Sequence, residues 1–285
     1  MTLKVDTILI GDAVQELKKL PDECVDMFFA DPPFNLKKKY NKCKDDLSDY
    51  EYMDWCRLWL REAVRITKFS GSIFIHNIPK WLICYANYLN SIAYFRHWIA
   101  WDAVGNPMGK TLLPYHYGIL YYTKSNSYKD FKFYDVRAPH KRCRKCNEYV
   151  KDYGGKTAQM HPLGNLLSDV WTDIHRVKHN GKRDDHPCQL PIPLLERIIL
   201  MSTDNGDIVL DPFMGTGTTA VAAKRMGRKY IGIEIDEKYV KIANDNISKN
   251  RESKVNGCYV SMYLDKIATV RSKDSDQVLK MDILE

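Results

Sequence analysis

Asp31-Pro32-Pro33-Phe34 puts a carboxylate, two imino acids and a phenyl ring in four consecutive positions. The prolines fix φ and remove two backbone donors, so the segment is stiff and presents carbonyl oxygens. A carboxylate on one side of those carbonyls and an aromatic ring on the other suit a planar ring that carries an amino group. Asp31 and the Pro32 carbonyl can accept the two amino hydrogens while Phe34 stacks on the ring face. An exocyclic amine is a poor nucleophile because its lone pair is delocalised into the ring. Accepting its hydrogens draws the nitrogen toward tetrahedral geometry, and holding it in line with an electrophile supplies rate through orientation. Taken alone, the same loop also reads as a turn, with Asp31 as an Asx residue before prolines.

A second pattern lies far along the chain. From Ile208 through Asp211-Pro212-Phe213-Met214-Gly215-Thr216-Gly217-Thr218-Thr219 to Ala220, an apolar strand runs into a G-x-G-x-x-A turn and then a helix. Glu234 follows Gly215 by 19 residues, at the end of the next predicted strand. In this layout the glycines let the backbone approach a nucleotide-like ligand, and the acid accepts hydrogen bonds from ribose hydroxyls. Asp236 is a rival acid that could instead cap the following helix. Spacing alone does not separate an adenosine-bearing methyl donor from NAD. A dinucleotide needs its phosphates at the helix N-terminus, whereas S-adenosylmethionine has none. The proline and phenylalanine of Asp211-Pro212-Phe213 lean toward the latter.

These loops need a sheet to hold them. Apolar runs predict strands at 7–10, 25–30, 72–76, 97–101, 118–122, 207–210 and 229–235. Helices are expected at 13–20, stopped by Pro21, and from a Ser48 or Asp49 cap to about Lys68. The second would set Met53, Cys56, Leu60, Ala63 and Val64 on one side, with Gly71 just beyond it. Further helices are expected from Pro79, at 194–201, at 218–226 before Gly227, and from Asp236 to about Asn250. Such alternation predicts an α/β fold, a mainly parallel sheet covered on both faces.

Of the 285 residues, 45% are hydrophobic and 28% charged, an ordinary globular composition. No apolar run approaches the ~20 residues that span a bilayer, and the N-terminus lacks a secretory layout. A cytoplasmic protein without a membrane partner is expected, its eight cysteines thiols or metal ligands rather than disulfides. The net charge of +7 is uneven: residues 124–183 hold 14 Lys and Arg against 6 Asp and Glu. Such a field attracts polyanions, although a solvated loop region would look the same. Periodicity fades over 103–185, which reads as a basic insertion between 1–102 and 186–285. Within it, Cys143 and Cys146 have zinc-knuckle spacing, with His140, His161 and Cys188 as further ligands. A structural zinc wants four, commonly as two pairs, so free thiols are the default and no metal is expected. Tyr122, Tyr128, Phe131, Phe133 and Tyr134 read as core rather than as stacking platforms.

Asp31-Pro-Pro-Phe together with Asp211-Pro-Phe-Met-Gly-Thr-Gly-Thr-Thr resembles the two hallmark motifs of the S-adenosylmethionine-dependent DNA amino-methyltransferases. Catalytic motif first and cofactor motif last resembles their β group, the circularly permuted arrangement. The likeness spans roughly residues 5–100 and 186–250. It implies a doubly wound, mainly parallel Rossmann-like sheet with an inserted target-recognition region. It also implies methyl transfer to adenine N6 of a base flipped out of double-stranded DNA. Cytosine-N4 members more often carry Ser at the position of Asp31, which favours adenine. By the same resemblance Asp12 would contact the cofactor adenine and Glu234 its ribose. Ala30, Asp31, Asp211, Phe213, Gly215, Gly217 and Thr218 would border the donor. The segment 186–191 resembles the family's cofactor-flanking stretch, with Leu190 where Lys is common and Gln189 as a substitute contact.

Lys37, Lys38 and Lys39, after the catalytic loop, and Lys141, Arg142, Arg144 and Lys145, in the insertion, would hold DNA phosphates. A homodimer and a cognate restriction endonuclease are family expectations. Cytosine-N4 methylation, an RNA substrate, an inactive DNA-binding module and an NAD-linked oxidoreductase are the alternatives.

Overall fold

The computed structural model describes residues 3–37, 45–103, 112–138, 165–177 and 189–249. Among them the chain runs β1 (Thr7–Ile10), α1 (Ala13–Lys18), β2 (Val25–Ala30), α2 (Asp49–Ile66), β3 (Thr67–Asn77), α3 (Pro79–Leu89), β4 (Tyr94–Asp102) and β5 (His116–Thr123). Three short strands follow, β6 (Arg137–Ala138), β7 (Asn165–Leu166) and β8 (Val170–Trp171). The last portion is α4 (Ile192–Ser202), β9 (Ile208–Asp211), α5 (Thr218–Arg225), β10 (Lys229–Glu234) and α6 (Glu237–Ser248).

The main sheet has the order β1-β10-β9-β2-β3-β5-β4-β8. Strands β1, β10, β9, β2 and β3 are parallel, and β5 pairs antiparallel with both β3 and β4. All six side chains of β2 are buried, as a strand covered on both faces requires. Met27, Phe29 and Val209 join one core with α4 and α5, whereas Phe28 and Leu210 join another with α1, α2 and α3. The sheet is thus doubly wound and mainly parallel, as expected. The late strands β9 and β10 are inserted between β1 and β2, and β9 pairs with β2 through Met27↔Val209 and Phe28↔Leu210. Asp26 locks this joint: it is 5% exposed, accepts two bonds from Lys68 Nζ at 2.9 Å, and accepts from the Ile208 N–H at 3.0 Å.

Helix α2 starts where its cap predicts. Ser48 and Glu51 form a reciprocal capping box. Its end differs from expectation, because the helix stops at Ile66 and β3 begins at once with Thr67. Gly71 is therefore a strand residue and not a helix stop. A Cβ there would stand 2.7 Å from the Asp26 carbonyl oxygen, so glycine permits the close approach of β2.

Part of the basic excess is structural. Lys124 pairs with Glu23, and Lys132 with Asp204 and Asp207, while Arg137 stands 4.0 Å from Asp135. Tyr122 and Phe131 are core, as read from sequence, but Tyr128 is 70% exposed under the Arg96 guanidinium. No helix among the described residues is long and apolar enough to cross a membrane.

Candidate active site

Because β2 and β9 are neighbours and run the same way, the loops after them leave the same sheet edge. They enclose a cleft of about 1020 Å³, open mouth included. Asp31, Pro32, Pro33 and Phe34 line one wall, and Asp211, Pro212, Phe213, Met214, Gly215, Thr216, Thr218 and Thr219 another. Asp12, Gln189, Leu190 and Glu234 join the lining from other elements.

The Asp31 loop is anchored from behind. Tyr52 Oη donates to the Pro33 carbonyl at 2.5 Å, and Trp81 Nε1 donates to the Phe34 carbonyl at 2.7 Å. The Asp45 carboxylate accepts from the Asn35 and Leu36 N–H groups at 2.7 and 3.0 Å. Asn35, at φ 54°, exchanges side-chain hydrogen bonds with the Leu47 backbone. The Pro32 carbonyl accepts no hydrogen bond from the described residues. Asp31 has one oxygen on His76 Nδ1 at 2.7 Å and lines the cleft. Two acceptors, the second Asp31 oxygen and the Pro32 carbonyl, are thus left for a ligand's amino group.

The opposite wall is held as tightly. Gly215 and Gly217 have φ of 53° and 88°, left-handed conformations that glycine adopts without strain. A Cβ on Gly217 would stand 2.9 Å from Ala243 Cβ, so its role is close packing at the start of α5. Gly217 and fully buried Ala30 do not line the cleft, unlike the other residues expected there. Glu234 accepts from the Gly215 N–H at 2.8 Å and the Asp236 N–H at 2.9 Å. Asp236 caps α6 by accepting from the Lys238 N–H and also lines the cleft. Asp12 also caps a helix, accepting from the Gln15 N–H at 3.0 Å.

Five acidic residues, Asp12, Asp31, Asp211, Glu234 and Asp236, line this one cleft. Burial pushes Asp211 up to about 7, against hydrogen bonds from Thr219 and the Phe213 N–H, and the negative charges of Asp31 and Glu234 add to the rise. Burial also raises Glu234. Such a site favours a cationic ligand. A dinucleotide's pyrophosphate would meet these acids at the start of α5, the place where it needs donors.

Sequence reading missed His76, Trp55 and Tyr239. Trp55 and Tyr239 line the cleft, and Trp55 and Trp59 pack on Phe213 at centroid distances of 5.6 and 5.5 Å. Their only sequence signal was helical periodicity. Lys37 is exposed at the end of the anchored loop. Lys38, Lys39, Lys141, Arg142, Cys143, Arg144, Lys145 and Cys146 lie outside the described residues, as does most of the basic insertion.

The profile of the DNA methylase family matches residues 25–245. The Type II methyltransferase M.BamHI of Bacillus amyloliquefaciens is 44% identical over 227 residues, covering 79% of this chain but only 53% of its own length. The DNA adenine methyltransferase YhdJ of Escherichia coli is 34% identical, covering 83% of this chain and 80% of its own. Among solved structures, the PvuII cytosine-N4-specific DNA methyltransferase superposes with a TM-score of 0.60 at 19% identity, covering 87% of this chain and 92% of its own. M1.HpyAVI in complex with SAM gives 0.55 at 22%, covering 85% and 98%. At these identities the last two speak for the fold.

Proposed function

The chain belongs to the DNA methylase family, and on that premise we propose that it transfers a methyl group from S-adenosylmethionine to adenine N6 of a nucleotide flipped out of duplex DNA. The observation that carries this reading is the shared cleft, in which Asp31–Phe34 and the glycine turn at 211–218 are opposite walls.

The residues present fit the donor. Asp31, Asp211 and Glu234 suit its sulfonium and ammonium charges, and the Glu234 oxygens retain lone pairs for ribose hydroxyls. Phe213 and Trp55 offer apolar surface, and Asp12 and Tyr239 also line the cleft. When bound, the donor would supply a methyl group made electrophilic by a positively charged sulfur, with a neutral thioether as the leaving group. Asp31 and the Pro32 carbonyl accept the two amino hydrogens and hold the nitrogen lone pair toward the donor. Phe34 stacks on the base. The nitrogen's surplus proton leaves by way of Asp31 or water, and no covalent enzyme intermediate is required.

Asp at position 31 and the adenine methyltransferase named among the relatives favour adenine N6 over cytosine N4. The Type II names of the relatives extend the reading to a restriction–modification setting, with a cognate endonuclease, a cytoplasmic location and a homodimer as further expectations. Lys37–Lys39 and the basic stretch 141–145 are assigned to DNA phosphates. The test is to treat duplex DNA with the protein and methyl-labelled donor, then digest and separate the nucleosides. Label in N6-methyl-2′-deoxyadenosine is expected. Label in N4-methyl-2′-deoxycytidine would overturn the base assignment alone, and label at a ring carbon, or none in the DNA while an RNA substrate takes it up, would overturn the reading.

A further inference from the structure

Parallel pairing of β2 with β3 sets Ala30 beside Ile75, so the next residues, Asp31 and His76, are neighbours across the end of the ladder. His76 Nδ1 lies 2.7 Å from Asp31 Oδ1. The imidazole is 2% exposed and is enclosed by Tyr117, Phe34 and Trp101 at centroid distances of 5.3, 5.6 and 5.6 Å. Its Nε2 is buried and has no hydrogen-bond partner among the described residues. A ring kept only to fill this aromatic cluster would be better served by phenylalanine, because the unpaired nitrogen carries a desolvation cost. Its compensation is the polar contact it makes with Asp31.

We infer that His76 is the positioning residue for Asp31: its Nδ1–H holds one carboxylate oxygen against β3, so that the other faces the amino group of the target base. The assignment rests on Asp31 accepting an amino hydrogen, as proposed above. The carboxylate otherwise turns freely about its Cα–Cβ and Cβ–Cγ bonds, and a charge-assisted hydrogen bond fixes both. His76 does not itself line the cleft, so it should act on the chemical step and leave cofactor binding alone.

The test compares three variants in single-turnover methylation, with donor affinity and thermal melting measured on each. His76→Phe keeps a ring in the aromatic cluster and removes the donor. A fall in the methylation rate on the order of 10²-fold is expected, the usual effect of a misplaced reacting group, with donor affinity within about threefold of the parent. His76→Asn can present an amide N–H near the position of Nδ1 and should recover most of the rate. Asp31→Ala separates the two claims, and Asp31→Ala combined with His76→Phe should be no slower than Asp31→Ala alone. A parental rate in His76→Phe, while Asp31→Ala is inactive, would overturn the positioning role and leave Asp31 standing. Equal losses in His76→Phe and His76→Asn that track a lowered melting temperature would overturn it too, as a purely structural effect. Retained turnover in Asp31→Ala would reject the reading of Asp31 itself.

Discussion

Asp31→Ala should lower the rate of methyl transfer on the order of 10³-fold or more, equivalent to about 4 kcal/mol of transition-state stabilisation. The side chain supplies one of two unfilled acceptors at the cleft, and the other, the Pro32 carbonyl, cannot draw both amino hydrogens. The backbone should stay in place. Tyr52, Trp81 and Asp45 anchor residues 33–36 through contacts that do not involve the Asp31 carboxylate. Asp211 and Glu234 remain in the cleft to meet the donor's positive charges, so donor affinity, measured by calorimetry, should change little. Loss of donor binding in parallel with activity would instead make Asp31 a structural member of the cofactor site.

Trp59→Ala acts from underneath. Trp59 is fully buried in α2 and meets Phe213 edge-on at 5.5 Å and Tyr85 at 5.7 Å. Removing it should cost about 3–5 kcal/mol of unfolding free energy, the range for a buried tryptophan cut back to alanine. The space left beneath Phe213 should also loosen the donor wall, so affinity for S-adenosylmethionine should fall more than in Asp31→Ala. Trp59→Phe, which keeps a ring against Phe213, should lose much less of both. Denaturant melts and donor titrations on the pair check this. Equal behaviour of the two variants would show that the indole does not support the cofactor loop.

Local signals carried the reading of the sequence where one element decides the outcome. The run at 25–30, apolar but for Asp26, is β2 with the same bounds, and Ser48 with Glu51 marked the start of α2. Gly71 misled because a glycine after a helical run usually reads as a stop, whereas here the approach of the Asp26 carbonyl, a long-range contact, demands it. The two loops were legible as motifs, since each needs its residues in one short stretch. His76 was not, because its meaning comes from the register Ala30↔Ile75, which no local pattern encodes. Lys124 and Lys132 misled in the other direction. They counted toward a field for polyanions, but their partners Glu23, Asp204 and Asp207 lie far away in sequence.

The most direct test is a crystal structure of the protein with a non-reactive donor analogue and a duplex bearing its target site. The account expects an extruded adenine stacked on Phe34, its amino nitrogen within hydrogen-bond reach of Asp31 and the Pro32 carbonyl. The analogue should lie along Asp211–Thr218 with its transferable position about 3–3.5 Å from that nitrogen. An analogue seated elsewhere, or a base that enters without meeting Asp31, would contradict it.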